Sequence, residues 1–178
     1  MHTIDKPQEG EYAPYAITYI NHLPNDGEVL QHMRAGLGAV KEMITPLTEG
    51  QLLYRYAPGK WSIKEVLLHI MDAERIFAYR ALRIARNDKT PLPGFEQDEY
   101  TPESYADERS IESIMTEYEA IRRNTLLLFD GLKDETASRS ATVNNHNTSV
   151  RALAYMIAGH ELHHITILRE KYLSVPGS

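Results

Sequence analysis

The chain has 178 residues, 42% hydrophobic and 25% charged, with a net charge of −6 and no cysteine. That length supports one domain with a real core and leaves little for a second, and the balance is that of a soluble globular protein. Mixed charges without a basic arm exclude nucleic acid as an expected partner; the lack of cysteine excludes disulfides, thiolate metal sites and a cysteine nucleophile, and fits a cytoplasmic protein.

The N-terminus has no charged stretch followed by an apolar run, so no signal peptide is expected. No apolar stretch approaches the roughly 20 residues that span a bilayer, so no membrane association is expected either. Short disordered tails are expected over residues 1–14 and 174–178. Between them, Val29, Leu30, Met33, Leu37, Val40 and Ile44 recur at helical spacing and predict a first helix over 27–45, ended by Pro46. Gly36 and Gly38 weaken that helix and allow a close approach by a neighbour. Ser62 and Glu65 form a capping box that opens a second helix over 62–87, closed by Pro91, Pro93 and Gly94. A third helix over 107–129 carries Ile111, Ile114, Met115, Tyr118, Ile121 and Leu128, with Gly131 as its C′ residue. A fourth starts at Thr148 or Ser149 and runs to Leu173, with Pro176 beyond. No strand stands out. Four helices of this length predict an all-α four-helix bundle. The connections, over 47–61, 88–106 and 132–147, are long enough for crossovers, and loops of that length are often functional.

The fourth helix contains Gly159-His160-Glu161-Leu162-His163-His164. His160 and His164, at i and i+4, project from one face, where two imidazoles converge on one divalent transition metal. They lie in line with Leu153, Met156, Ile157, Ile167 and Leu168, so they point at the core, and a titratable pair there needs a partner. Two histidines make a weak site, and a third ligand is required. His69 is the best choice, because it lies in the second helix in line with Val66, Ala73, Ile76 and Phe77. His2 and His22 fall in the N-terminal segment, His146 in a loop, and His32 off the apolar line of the first helix. His163 sits on the less apolar flank with Tyr155 and Thr166 and reads as a surface neighbour. Glu65 and Asp72, one turn either side of His69, are available to orient its ring or to form solvated pairs. The alternative for each histidine is a hydrogen-bonded core residue.

His160 to His164 also match H-E-x-x-H literally, which would make Glu161 the base of a zinc protease. The short stretch after His164 contains no further histidine, and no strand is predicted to hold a peptide. Loop 92–100 is expected to border the centre: Phe95 as a wall, and Gln97 or Asp98 in contact with substrate or a ligand histidine. Trp61 reads as a hydrophobic anchor before the second helix, and Tyr54, Tyr56 and Tyr79 as further pocket residues.

Three stretches, Pro58-Gly59-Lys60-Trp61-Ser62 leading into His69-Ile70-Met71-Asp72-Ala73-Glu74, then Gly94-Phe95-Glu96-Gln97-Asp98-Glu99-Tyr100, then Gly159 to His164, make the chain resemble the DinB-like superfamily, in the branch of YfiT-like metal-dependent hydrolases and thiol transferases. The resemblance covers residues 26–173 of a single domain spanning 1–178. It implies an up-down-down-up bundle with His69, His160 and His164 holding one nickel, zinc or iron(II) ion at one end. It further implies a homodimer and a small-molecule substrate, with a low-molecular-weight thiol such as bacillithiol or mycothiol as cosubstrate. The expected function is therefore a metal-dependent transferase or hydrolase in which metal-bound thiol or water attacks a small electrophile. The alternative is a non-catalytic metal-binding or stress-response bundle.

Overall fold

In the computed structural model, which describes residues 3–174, the long helices are α2 (Val29–Ile44), α4 (Ile63–Ala85), α6 (Ile111–Asp130) and α7 (Val150–Ile167), with α7 continued by one π turn, Leu168–Tyr172. Three short helices lie between or before them: α1 (Ile17–Ile20), α3 (Glu49–Leu52) and α5 (Gln97–Glu103). His2 and Pro176 lie outside the described residues, as does all of the expected C-terminal tail except Ser174.

Hydroxyl caps set the starts of α4, α6 and α7. The Ser62–Glu65 box forms in both directions, with Glu65 N–H donating to Ser62 Oγ at 3.0 Å and Ser62 N–H to the Glu65 carboxylate at 2.8 Å. Ser149 caps α7 by accepting from Ala152 N–H at 3.1 Å. α6 begins at Ile111, behind a Ser110 cap, and not at Asp107. Asp107 instead accepts from Ser62 Oγ at 2.5 Å and from Arg55 at 2.8 Å, joining the starts of α4 and α6. Gly131 ends α6 with φ −85°, so the expected left-handed C′ conformation is absent there.

Cross-helix pairs define the topology. Lys64 donates to the Arg109 carbonyl at 2.7 Å and Arg75 pairs with Glu117, so α4 and α6 run parallel. Tyr172 donates to the Trp61 carbonyl at 2.7 Å while His160 meets His69, so α7 runs antiparallel to α4. Lys41 pairs with Glu119 at 2.6 Å while Arg122 reaches the Met33 carbonyl, so α2 is antiparallel to α6. The result is the up-down-down-up bundle. Two apolar clusters fill it, one including Met33, Phe77, Phe129 and Leu153, the other Val40, Leu67, Ile114 and Ile165. Between them sits a buried guanidinium. Arg122 of α6, 0% exposed, donates to Glu74 on α4 at 2.8 Å, to Glu161 on α7 at 2.9 and 3.0 Å, and to the Met33 carbonyl on α2. One side chain thus ties each of the other three long helices. Gly36 of α2 lets the Glu161 carboxylate come this close, since a Cβ there would collide with it; Gly38 meets no such neighbour.

Two expectations need correction. Residues 3–14 are not a disordered tail. Ile4, Ala13, Ala16, Ile20 and Leu23 are buried, and the N-terminal segment forms a strap across α7. It is held by Ile4 N–H to the Gly27 carbonyl at 3.0 Å, by the Tyr155 hydroxyl to the Ile4 carbonyl at 3.1 Å, and by Glu11, which accepts from Ser149 Oγ at 2.8 Å and pairs with Arg151. The last connection is also not free of strand. It folds into an antiparallel hairpin, β1 (Ser140–Val143) with β2 (His146–Ser149), in the register Val143 to His146 and Ala141 to Thr148. Asn144 and Asn145 turn it with φ 46° and 64°, the positive pair that a tight hairpin turn requires and asparagine tolerates. Among the described residues no helix is long and apolar enough to cross a membrane.

Gly159 explains how the strap seats: a Cβ there would collide with the Tyr19 carbonyl. Gly159→Ala should gain roughly 1 kcal/mol in helix propensity but lose about 1–3 kcal/mol to overpacking, so the strap lifts and not the helix. Faster chymotryptic cleavage at Tyr15 or Tyr19, with helical circular dichroism unchanged, is the expected result. Hydrogen bonds from Arg151, and then from Ser149, hold Glu11 below its ordinary value of 4.5 against the opposing effect of burial. Its contribution to stability is therefore complete above that value and lost as pH falls below it. Glu11→Gln should flatten the fall in unfolding free energy as pH drops below the ordinary value of 4.5, measured by urea titration.

Candidate metal centre

α4 and α7 pack antiparallel, so the second turn of α4 faces the fourth turn of α7. That brings His69 opposite His160 and His164. His69 Nε2 is 2.9 Å from His160 Nε2, which is 3.2 Å from His164 Nε2, and the three ligand atoms lie within 4.8 Å of one another. His69 and His160 are 5% and 4% exposed, while His164 is partly exposed toward a cavity. Burial pushes the imidazoles toward their neutral forms. His69 is brought down to about 4 by desolvation, only partly opposed by the Asp98 carboxylate. His164 falls to about 3, by desolvation and then its histidine neighbours, and His160 lies well below its ordinary 6.5 for the same reasons.

This donor set fits a transition metal. A neutral imidazole nitrogen has one in-plane site, as donor or as acceptor, so His160 Nε2 can complete only one of its two close contacts. A cation satisfies all three lone pairs together. On one ion with metal–nitrogen distances of about 2.1 Å, ligand nitrogens sit roughly 3.0–3.4 Å apart, close to the 2.9 and 3.2 Å that separate His160 from His69 and from His164, while the third pair lies within 4.8 Å. Three imidazoles without thiolate or carboxylate suit nickel, zinc or iron(II) and not calcium or magnesium. Among the described residues the group comprises these three histidines alone, which leaves positions open.

His164, alone of the three, lines a cavity of about 710 Å³, in the range that small molecules occupy. Trp61, Tyr56 and Tyr172 supply its aromatic wall, and Lys60, Asp98 and Thr101 its polar rim. Arg55, also on the cavity, is held by Glu65, Asp107 and the Lys60 carbonyl. Of the residues assigned to loop 92–100, Asp98 alone lines this cavity. Phe95 packs on Phe77, 6.5 Å between ring centres, and on Tyr100 at 5.6 Å. Gln97 is the exposed first residue of α5, its carbonyl accepting from Thr101 Oγ1 at 3.0 Å. The α5 turn carries further cavity residues three and four positions beyond Asp98, at Thr101 and Pro102. Trp61 is more than an anchor, since its ring lies 4.8 Å from that of His69. Tyr56 lines the cavity, Tyr54 backs Tyr172 at 6.2 Å, and Tyr79 is exposed beside Arg83 on the outer face of α4. Tyr172 lies two turns beyond His164 on the same helix, a spacing that could have flagged it.

Neither carboxylate proposed to orient His69 does so: Glu65 serves the Ser62 cap and Arg55, and Asp72 faces Arg75 at 3.4 Å. His163 turns from the triad's meeting point toward Tyr19 and His22, at 5.5 and 5.8 Å between ring centres. His32 pairs with Asp26 at 2.8 Å. Glu161 is the clearest correction. It is 0% exposed and points about 100° round α7 from His160, where it binds Arg122 and accepts from the Tyr118 hydroxyl. A glutamate so engaged does not reach the open side of the centre, so the H-E-x-x-H base is not formed.

A four-helix bundle with three converging histidines beside an open cavity defines a candidate metalloprotein. The chain belongs to the DinB superfamily, whose family profile matches residues 32–168. A candidate metal-dependent hydrolase of Oceanobacillus iheyensis, OB0413, is 24% identical over 144 residues, covering 80% of this chain and 82% of that protein. Among solved structures, YfiT from Bacillus subtilis, described as a probable metal-dependent hydrolase with an unusual four-helix bundle topology, superposes with a TM-score of 0.70 at 18% identity, over 93% of this chain and 90% of that one. The mycothiol-dependent maleylpyruvate isomerase superposes with a TM-score of 0.65 at 12% identity, over 89% of this chain and 64% of the isomerase.

Glu161→Ala leaves Arg122 short of one of its two buried carboxylates and should cost about 3 kcal/mol or more in urea unfolding. Metal content of the folded fraction should fall as well, because this ion pair sets the rotation of α7 and with it the orientation of His160. A base at Glu161 would give the reverse, full stability with activity lost.

Proposed function

We propose that this chain is a metal-dependent transferase or hydrolase that acts on a small electrophile, with His69, His160 and His164 holding one nickel, zinc or iron(II) ion. The observation that carries the reading is the convergence of three histidine ring nitrogens beside a cavity of small-molecule size. A divalent cation in that position, with places left open, lowers the pKa of a thiol or water and so supplies a nucleophile near neutral pH.

The chain's own residues supply binding and orientation. Burial keeps the three imidazoles unprotonated at working pH, so their lone pairs are available without competition from protons. Trp61, Tyr56 and Tyr172 offer apolar faces to substrate and keep water from that side, while Lys60 and Asp98 present opposite charges at the rim. With Glu161 committed to Arg122, Asp98 on the cavity is the carboxylate left for proton transfer, beside substrate and solvent. Since the sequence has no cysteine, a thiol nucleophile must arrive as a cosubstrate. The names of the relatives, hydrolase in two cases and thiol-dependent isomerase in the third, support the same division between water and thiol.

Purified protein reconstituted with nickel, zinc or iron(II) should bind about one ion per chain by plasma emission analysis, and His160→Ala should bind none while keeping its helical content. No binding of any of the three would end the enzymatic reading. The loaded protein, given a haloarene and a panel of low-molecular-weight thiols, should catalyse metal-dependent conjugation. Hydrolysis of activated esters or amides without conjugation would assign the nucleophile to water.

A further inference from the structure

The imidazoles of the proposed centre are flanked by other rings. His69 lies against Trp61 at 4.8 Å, His164 against His163 at 5.3 Å, and His160 between Phe77 at 6.1 Å and Tyr19 at 5.1 Å. Trp61, Phe77 and His163 belong to α4, to the residue pair that starts it, or to α7, the two helices that carry the triad. Tyr19 alone comes from outside the bundle, on α1 in the N-terminal strap. Its ring meets His160 at 85° and His163 at 67°, edge to face in both cases.

This contact is built into the backbone. Residue 159, directly before His160, is a glycine in mid-helix, and the Tyr19 carbonyl sits against the space that any larger residue would fill. Helix interiors disfavour glycine, so the close approach of α1 accounts for its presence. The strap is also anchored away from the centre, through Ile4, Glu11, Ala16 and Ile20, so Tyr19 is delivered by a segment with its own attachments. In most histidine metal sites a hydrogen bond to the remote ring nitrogen fixes the imidazole. Here packed rings surround the imidazoles, and edge-to-face pairs of this spacing restrict rotation in the same way.

We propose that Tyr19 is a positioning residue of the metal centre, holding the His160 ring in its ligating orientation, so that the N-terminal strap completes a site begun by α4 and α7. This rests on the reading of the triad as a metal site. Wild type, Tyr19→Phe and Tyr19→Ala would be loaded with cobalt(II), with affinity measured by chelator competition and ligand geometry by the visible d–d spectrum. Tyr19→Phe should match wild type in both. Tyr19→Ala should bind about tenfold more weakly and show a shifted spectrum, with helical content kept. Wild-type affinity and spectrum in folded Tyr19→Ala would overturn the proposal, as would a Tyr19→Phe variant as weak as Tyr19→Ala. Should Tyr19→Ala fail to fold, Tyr19→Leu keeps bulk without the ring: a tenfold weakening supports the proposal and wild-type binding overturns it. Failure of wild type itself to bind cobalt, nickel, zinc or iron(II) would instead remove the metal reading beneath it.

Discussion

A single buried guanidinium organises this molecule. Arg122 sits fully inside the bundle and bonds to Glu74, to Glu161 and to the Met33 carbonyl, one partner on each of the other long helices. Burying a charge among apolar side chains is costly, and two carboxylates with a phenol hydroxyl in support make it tolerable. The arrangement has a geometric consequence. It fixes the rotation of α7 by holding Glu161 toward α2 and α6, and residue 160 is then obliged to face α4. The orientation of His160, and with it the convergence of the triad, follows from an ion pair on another face of the same helix.

The two neighbours in the sequence, His160 and Glu161, therefore divide the labour that H-E-x-x-H assigns to one side. Successive helical residues lie about 100° apart, so they point into different environments. His160 enters a neutral pocket of rings, where burial lowers its basicity; Glu161 enters a charged pocket, where Arg122 holds it. Desolvation thus prepares three lone pairs in one place, while Arg122 holds the Glu74 and Glu161 carboxylates in another. This separation leaves the cavity beside His164 to its aromatic rings and to the charges of Arg55, Lys60, Glu65 and Asp98.

Much of this was legible in the residues. The apolar period of each long helix placed it within a few residues, and Ser62 with Glu65 marked the start of α4 to the residue. The i, i+4 pair at His160 and His164, with His69 on a core-facing stripe, led to three side chains that do meet. What escaped depends on long-range contact. Nothing local distinguishes the strap over residues 3–14 from a tail, since its hydrophobic residues are few and irregularly spaced; it is ordered by Tyr155, Arg151 and Gly159, all far away in the chain. Tyr19 was missed with it. The hairpin was missed because its strands are short, although the paired asparagines at its turn were a readable signal. Phe95 and Gln97 were misplaced for a simpler reason: α5 starts at Gln97, and the face it turns to the cavity is set by helical phase and not by position in loop 92–100.

The central claim is that three particular imidazoles share one ion and leave it open. X-ray absorption fine structure on the nickel- or zinc-loaded protein tests this most directly. The account predicts three histidine nitrogens with the remaining positions filled by light, exchangeable donors, and the loss of one imidazole from the spectrum in each of the His69, His160 and His164 variants. A bound ion whose spectrum holds fewer than three imidazoles, or is unchanged when His69 is replaced, would contradict it.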